Sequence, residues 1–156
     1  MAITKVLLAS IDEAYDRRSW HGTNLRGALR GVTPEQAAWQ PDDDRHNIWE
    51  LTVHAAYWKY DIRRRLTGEK RRSFALEGNN FWARPVEGSL AEWRADLALL
   101  QREHELLREA VAEFSEMRWS RKAPGKPFTF EGLVRGVAAH DLYHAGQIQL
   151  LKRLQE

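Results

Sequence analysis

Residues Ser89–Phe114 read SLAEWRADLALLQREHELLREAVAEF. Leu90, Trp93, Leu97, Leu100, His104, Leu107, Val111 and Phe114 recur at alternating steps of three and four. That spacing gathers their side chains on one face of an α-helix. Ser89 followed by Glu92 is a capping box, in which each side chain satisfies the other residue's backbone N–H. The apolar face is a stripe, so this helix needs neighbours on one side, as in a bundle. One position of the stripe is a histidine, His104.

Three further segments supply the neighbours. After the breakers Pro124, Gly125 and Pro127, the spacing predicts a helix from about Phe130 to Leu154, with Leu133, Val137, His140, His144, Ile148 and Leu151 as its seam. Upstream, Asn47-Ile48-Trp49-Glu50 opens a helix with an Asn cap, and Ile48, Leu51, Ala55, Trp58, Ile62 and Leu66 follow before Gly68 ends it. A first helix is expected from Ile3 to Leu29, on a looser stripe of Leu7, Ile11, Tyr15, Leu25 and Leu29 interrupted by Gly22 and Gly27. Thr33-Pro34-Glu35-Gln36 is a second capping box, with Pro at the first helical position, and predicts one short turn ending before Pro41. The longest irregular stretch, Glu69 to Gly88, contains Gly78-Asn79-Asn80 and Arg84-Pro85. A loop of that length is more often functional or a crossover than a plain connection. With almost no strand signal and no internal repeat, the expectation is an all-α four-helix bundle forming a single domain over residues 1–156.

Composition narrows the chemistry. The 156 residues can bury a sizeable core, and 43% hydrophobic with 29% charged residues is an ordinary globular balance. Cysteine is absent, which removes disulfides, thiolate ligands and a cysteine nucleophile. No apolar run approaches the roughly 18 residues of a membrane span. The opening MAITKVLLASIDEAY lacks the basic start and long apolar core of a secretory leader. A cytoplasmic protein without membrane association is expected. The net charge of +2 says little about partners, and seven Trp suit either a core or a pocket.

The histidines carry the functional signal. His140 and His144 lie four apart on one helix, which places their Cβ atoms about 5–6 Å apart on one face. Both fall on the apolar seam, where unpartnered imidazoles are costly. A shared metal ion would account for both. His54, three residues after Leu51, is the natural third ligand, and three imidazoles leave a coordination position open. The alternative is a pair of core histidines bonded to backbone or Tyr. His104 could be a fourth ligand, a neighbour of the site or a satisfied core histidine. Glu50 is expected chiefly to cap its helix. His46 is expected in a loop and His21 beside Gly22.

Several of these motifs together resemble the DinB/YfiT-like metalloenzymes of the DinB superfamily. The strongest is His140 to Ile148, an HxxxH followed by Gly146-Gln147-Ile148. His46-Asn47-Ile48-Trp49-Glu50-Leu51 with His54 is a second. Trp20-His21-Gly22, Asn80-Phe81-Trp82 and Ser89 to Trp93 are supportive. The resemblance implies a four-helix bundle with a variant of up-and-down topology. It also implies a divalent transition metal, zinc or nickel, held by His54, His140 and His144, and a homodimer. In some branches it implies thiol-dependent S-transfer or isomerisation with a low-molecular-weight thiol such as bacillithiol or mycothiol, and in others hydrolysis.

Three functions compete on this reading. The first is a metal-dependent transferase or hydrolase acting on a small-molecule substrate, with Tyr143, Glu50 and His104 as candidate catalytic groups and Phe81 and Trp82 either covering the pocket or plugging the bundle end. The second is a non-catalytic metal-binding or stress-response module, which a fourth ligand such as His104 would favour because a closed shell cannot activate water. The third is nucleic-acid binding by Arg63, Arg64, Arg65, Lys70, Arg71 and Arg72. Such runs are usually solvated helix faces, so nucleic acid is not expected; the same arginines could receive an anionic thiol.

Overall fold

The structure, a computed structural model, describes residues 2–84 and 88–156. The described residues form six α-helices: α1 Ala2–Tyr15, α2 Leu25–Leu29, α3 Pro34–Ala38, α4 Ile48–Thr67, α5 Leu90–Glu113 and α6 Phe130–Arg153. A 3-10 turn follows α5 at Glu116–Arg118, and one isolated β-bridge joins Lys122 to Thr129. The protein is all-α.

The helices start and stop where local chemistry requires. Capping boxes form at Thr33/Gln36, Asn47/Glu50 and Ser89/Glu92. In the last, the Ser89 hydroxyl accepts from the Glu92 N–H at 3.2 Å while a Glu92 carboxylate oxygen accepts from the Ser89 N–H at 2.8 Å. α4 ends at Gly68, whose φ of 80° is left-handed and would strain any residue with a Cβ.

The expected first helix is two. α1 stops at Tyr15, and the N–H groups of Asp16 and Arg17 both close onto the Asp12 carbonyl. Asn24 then caps α2: its side-chain oxygen accepts from the Gly27 N–H, and its amide donates to the Arg17 carbonyl. The stripe Leu7, Ile11, Tyr15 and the pair Leu25, Leu29 therefore belong to different helices, both buried.

α4 packs on α5 and α6, and α1 packs on the same two helices. Sustained packing is absent between α1 and α4 and between α5 and α6, which places these pairs diagonally in the bundle. The first connection, residues 16–47, thus crosses the bundle instead of joining neighbours. On its way it lays α2 against α6 and α3 against α4. This is the variant of up-and-down topology.

Two apolar clusters fill the bundle. One holds Leu25, Trp49, Trp93, Leu100 and Ile148. The other holds Leu7, Leu107, Trp119, Phe130 and Val134. The three buried Trp rings keep their N–H groups satisfied: Trp49 donates to Asp96, Trp93 to the Val32 carbonyl and Trp119 to Thr4. Between the clusters lie the polar residues Lys59, His104 and Asp141, with Tyr15 of the first cluster beside them, one residue from each long helix. The Lys59 ammonium donates to Asp141, and the Tyr15 ring stacks on His104 with centroids 3.9 Å apart. The long loop before α5 is held by Arg84, which donates to Asp96.

Candidate metal centre

His54 sits in the second turn of α4, and His140 and His144 sit one turn apart in the middle of α6. His54 and His144 are buried, as their seam positions suggested, and His140 is half-buried. Asp141, between the two α6 histidines in sequence, is also buried, opposite Lys59. The rings meet where α4 and α6 pack.

There the rings converge. Nε2 of His140 is 3.0 Å from Nε2 of His54 and 3.0 Å from Nε2 of His144. The ligand atoms of all three lie within 4.8 Å of one another. The opposite nitrogens decide which of these atoms is bare. His54 Nδ1 donates to the Asn80 carbonyl at 2.7 Å, and His144 Nδ1 donates to the Gln147 side-chain oxygen at 2.6 Å. A neutral imidazole with its proton on Nδ1 presents a lone pair at Nε2. A proton on His140 Nε2 can serve only one of its two neighbours, so the cluster holds more lone pairs than protons.

A cation would resolve that shortage. The two separations to His140 are within a few tenths of an ångström of those between nitrogens bound at about 2.0–2.1 Å to one tetrahedral ion, and His54 and His144 would draw together on it. Three imidazoles suit zinc, nickel, copper or iron. The protonation state also fits. Burial, partly opposed by the Asn80 hydrogen bond, pushes His54 down to about 4. Burial, reinforced by His144, His54 and Lys59, pushes His140 down to about 3. Burial also lowers His144. All three rings are neutral near pH 7, the state in which imidazole binds metal.

The three histidines line a cleft of about 940 Å³. Phe81 forms one wall, stacked between the rings of His54 (4.0 Å, 6°) and His46 (3.7 Å, 4°). Tyr143 stands on the rim, 65% exposed, its ring 5.2 Å from that of His144. Of the two loop aromatics, Phe81 thus covers the pocket, whereas Trp82 packs on Phe74 and Tyr57.

The other candidates fall elsewhere. Glu50 closes the α4 capping box and accepts from His46 Nδ1 at 2.9 Å. His104 is among the interior polar residues, 3.4 Å from the Lys59 ammonium, and does not join the three-histidine group. His21 is exposed and bonded to Ser19. Asn80 and Gln147, which orient two of the rings, stand in the motifs Asn80-Phe81-Trp82 and Gly146-Gln147-Ile148, but the sequence alone assigns them no role in the site. Gln147 stands three residues after His144 on the same helical face, a spacing that could have flagged it.

Fold and site together define a helical bundle with a three-histidine centre that fits a divalent metal ion. Residues 17–148 match the family model of the DinB superfamily, and the chain belongs to that superfamily. Neither a curated protein nor a solved structure matches the chain significantly. No helix among the described residues is long and apolar enough to cross a membrane.

Proposed function

We propose that the protein is a metal-dependent enzyme in which His54, His140 and His144 hold one zinc or nickel ion, acting on a small molecule by thiol-dependent S-transfer or hydrolysis. The observation that carries this is the meeting of three Nε2 atoms at the wall of an open cleft, with the Nδ1 atoms of His54 and His144 tied by hydrogen bonds. When bound, the metal would supply Lewis acidity, lowering the pKa of a thiol or water at its open position.

The chain's own residues do the rest. Asn80 and Gln147 fix ring orientation and keep the metal-facing nitrogens bare. Phe81 covers one face of His54 and keeps water from it. The Tyr143 phenol at the rim is placed to hydrogen-bond a substrate and to pass it a proton. On this reading residues 1–156 act as one domain, in a cytoplasmic homodimer, with a low-molecular-weight thiol as co-substrate.

A non-catalytic metal-binding module is the competing reading. It calls for a fourth protein ligand, and among the described residues the group that could hold a metal is three histidines. The deciding experiment incubates zinc- and nickel-loaded protein with bacillithiol or mycothiol and an electrophile, or with activated esters and amides. Turnover that disappears in His140→Ala supports an enzyme. Stoichiometric metal with no turnover under any of these conditions supports the module.

A further inference from the structure

A second cleft, of about 800 Å³, adjoins the first at Trp58, which lines both. Arg64, Arg65, Arg71, Arg72 and Lys126 face it, against the two carboxylates Asp61 and Glu77. Asp61 holds two of the guanidiniums in place. One of its oxygens accepts from Arg64 Nε (2.9 Å) and Nη2 (2.6 Å), the other from Arg65 Nε at 2.8 Å. Among the described residues, Arg64 Nη1 and both terminal nitrogens of Arg65 have no protein acceptor, so they are pre-oriented donors.

Two backbone positions mark the loop that walls this cleft. Arg72 has a φ of 77° and Asn80 a φ of 66°, the two left-handed non-glycine residues of the described chain. Strain of this kind persists where surrounding structure holds it and is concentrated at functional sites. Arg72 is held through its neighbour: the N–H and hydroxyl of Ser73 donate to the Tyr60 phenol at 3.1 and 3.3 Å. Asn80 accepts from His54 through its carbonyl and from Trp58 through its side chain. One loop thus presents Arg71 and Arg72 to the second cleft and orients a ring of the first.

The shape selects a small ligand over a polyanion. Arg63, in the same basic run, turns away to bond Glu69 and Glu103, so the run makes no continuous basic face. What remains is a concavity with Tyr57, Tyr60 and Phe74 in its walls.

We infer that this cleft is a binding subsite for a small anion, a carboxylate or phosphate group. Its role as the anchor for a molecule that reacts at the neighbouring histidines rests on the function proposed above; anion binding itself does not.

The test is an NMR titration of the whole protein with inorganic phosphate and, separately, succinate, repeated after the metal is removed with chelator. Amide shifts are expected at Tyr60, Arg64 and Ser73. Arg71→Ala should weaken binding about tenfold, the loss of one charge-assisted contact. Arg72→Gly relieves the backbone and should leave the thermal midpoint unchanged or higher while weakening binding by a similar factor. Metal content should not change in either variant. Preference for phosphate or for succinate supports the subsite and names the group. Binding retained in metal-free protein separates this inference from the metal reading. Equal affinity in wild type and both variants overturns it, as do shifts confined to other surfaces. Tighter, steeply salt-dependent binding of duplex DNA also overturns it and assigns the arginines to nucleic acid.

Discussion

The side-chain oxygen of Gln147 lies 2.6 Å from Nδ1 of His144, and this bond settles which nitrogen of the ring faces the other two histidines. Gln147→Leu removes the acceptor, so the ring can turn and either nitrogen can carry the proton. Losses of this kind weaken metal binding by about 10–100-fold. Competition with a chromophoric chelator reads the change. Because Gln147 is only partly buried, the unfolding midpoint of the metal-free variant should stay near wild type. Unchanged affinity would show that Gln147 does not orient the ligand.

Lys59 and Asp141 form an ion pair at mid-height of the bundle, each side chain 1% exposed. Removing one partner leaves a buried charge unpaired, whereas removing both leaves none. Lys59→Met should therefore lose about 3–5 kcal/mol of stability, and adding Asp141→Leu should recover most of it. Urea unfolding of the two variants measures both values. A double variant as unstable as the single one would mean that the pair contributes through packing and not through charge.

His104 makes folding sensitive to acid. Burial first, then the positive charges of Lys59 and Arg108, hold its pKa far below the ordinary 6.5. Asp12, 3.8 Å away, and Tyr15 complete its surroundings. The folded protein keeps the ring neutral while the unfolded chain takes up a proton below about pH 6.5. The unfolded state thus binds more protons, so this group's contribution is fully present above that pH and is lost as pH falls. Its share of the slope approaches about 1.4 kcal/mol per pH unit. In metal-free protein, His104→Gln should lose less stability than wild type between pH 6.5 and 5. Parallel curves for the two proteins would contradict the assignment.

Local chemistry made much of the fold legible. Thr33, Asn47 and Ser89 each carry the capping partner three residues on, and Gly68 has the left-handed geometry a helix end calls for. The break after Tyr15 was harder to read because residues 16–20 contain neither Gly nor Pro. Its signal was Asn24, whose side chain caps a new helix. The seam of α6 is legible, with Leu133, Val137, His144, Ile148 and Leu151 all buried, but the burial of Asp141 is not, for a tertiary reason. Whether Asp141 pairs with a neighbouring helix or stays solvated is open until Lys59 of α4 is set opposite it, and no periodicity within α6 carries that fact. His104 likewise fits the stripe as a buried residue, but only the packing shows that it faces Tyr15 and Lys59. The convergence of His54 with His140 and His144 was legible as chemistry, since three inward histidines need a common partner. Asn80 was not, because its carbonyl reaches His54 from a loop whose path no pattern specifies.

The most direct test of the metal centre is elemental analysis of untagged wild-type protein beside His54→Ala, His140→Ala and His144→Ala, with circular dichroism confirming the helices. About one divalent ion per wild-type chain is expected, with its loss from all three variants. Wild-type protein that binds no metal, or variants that keep it in full, would contradict the account.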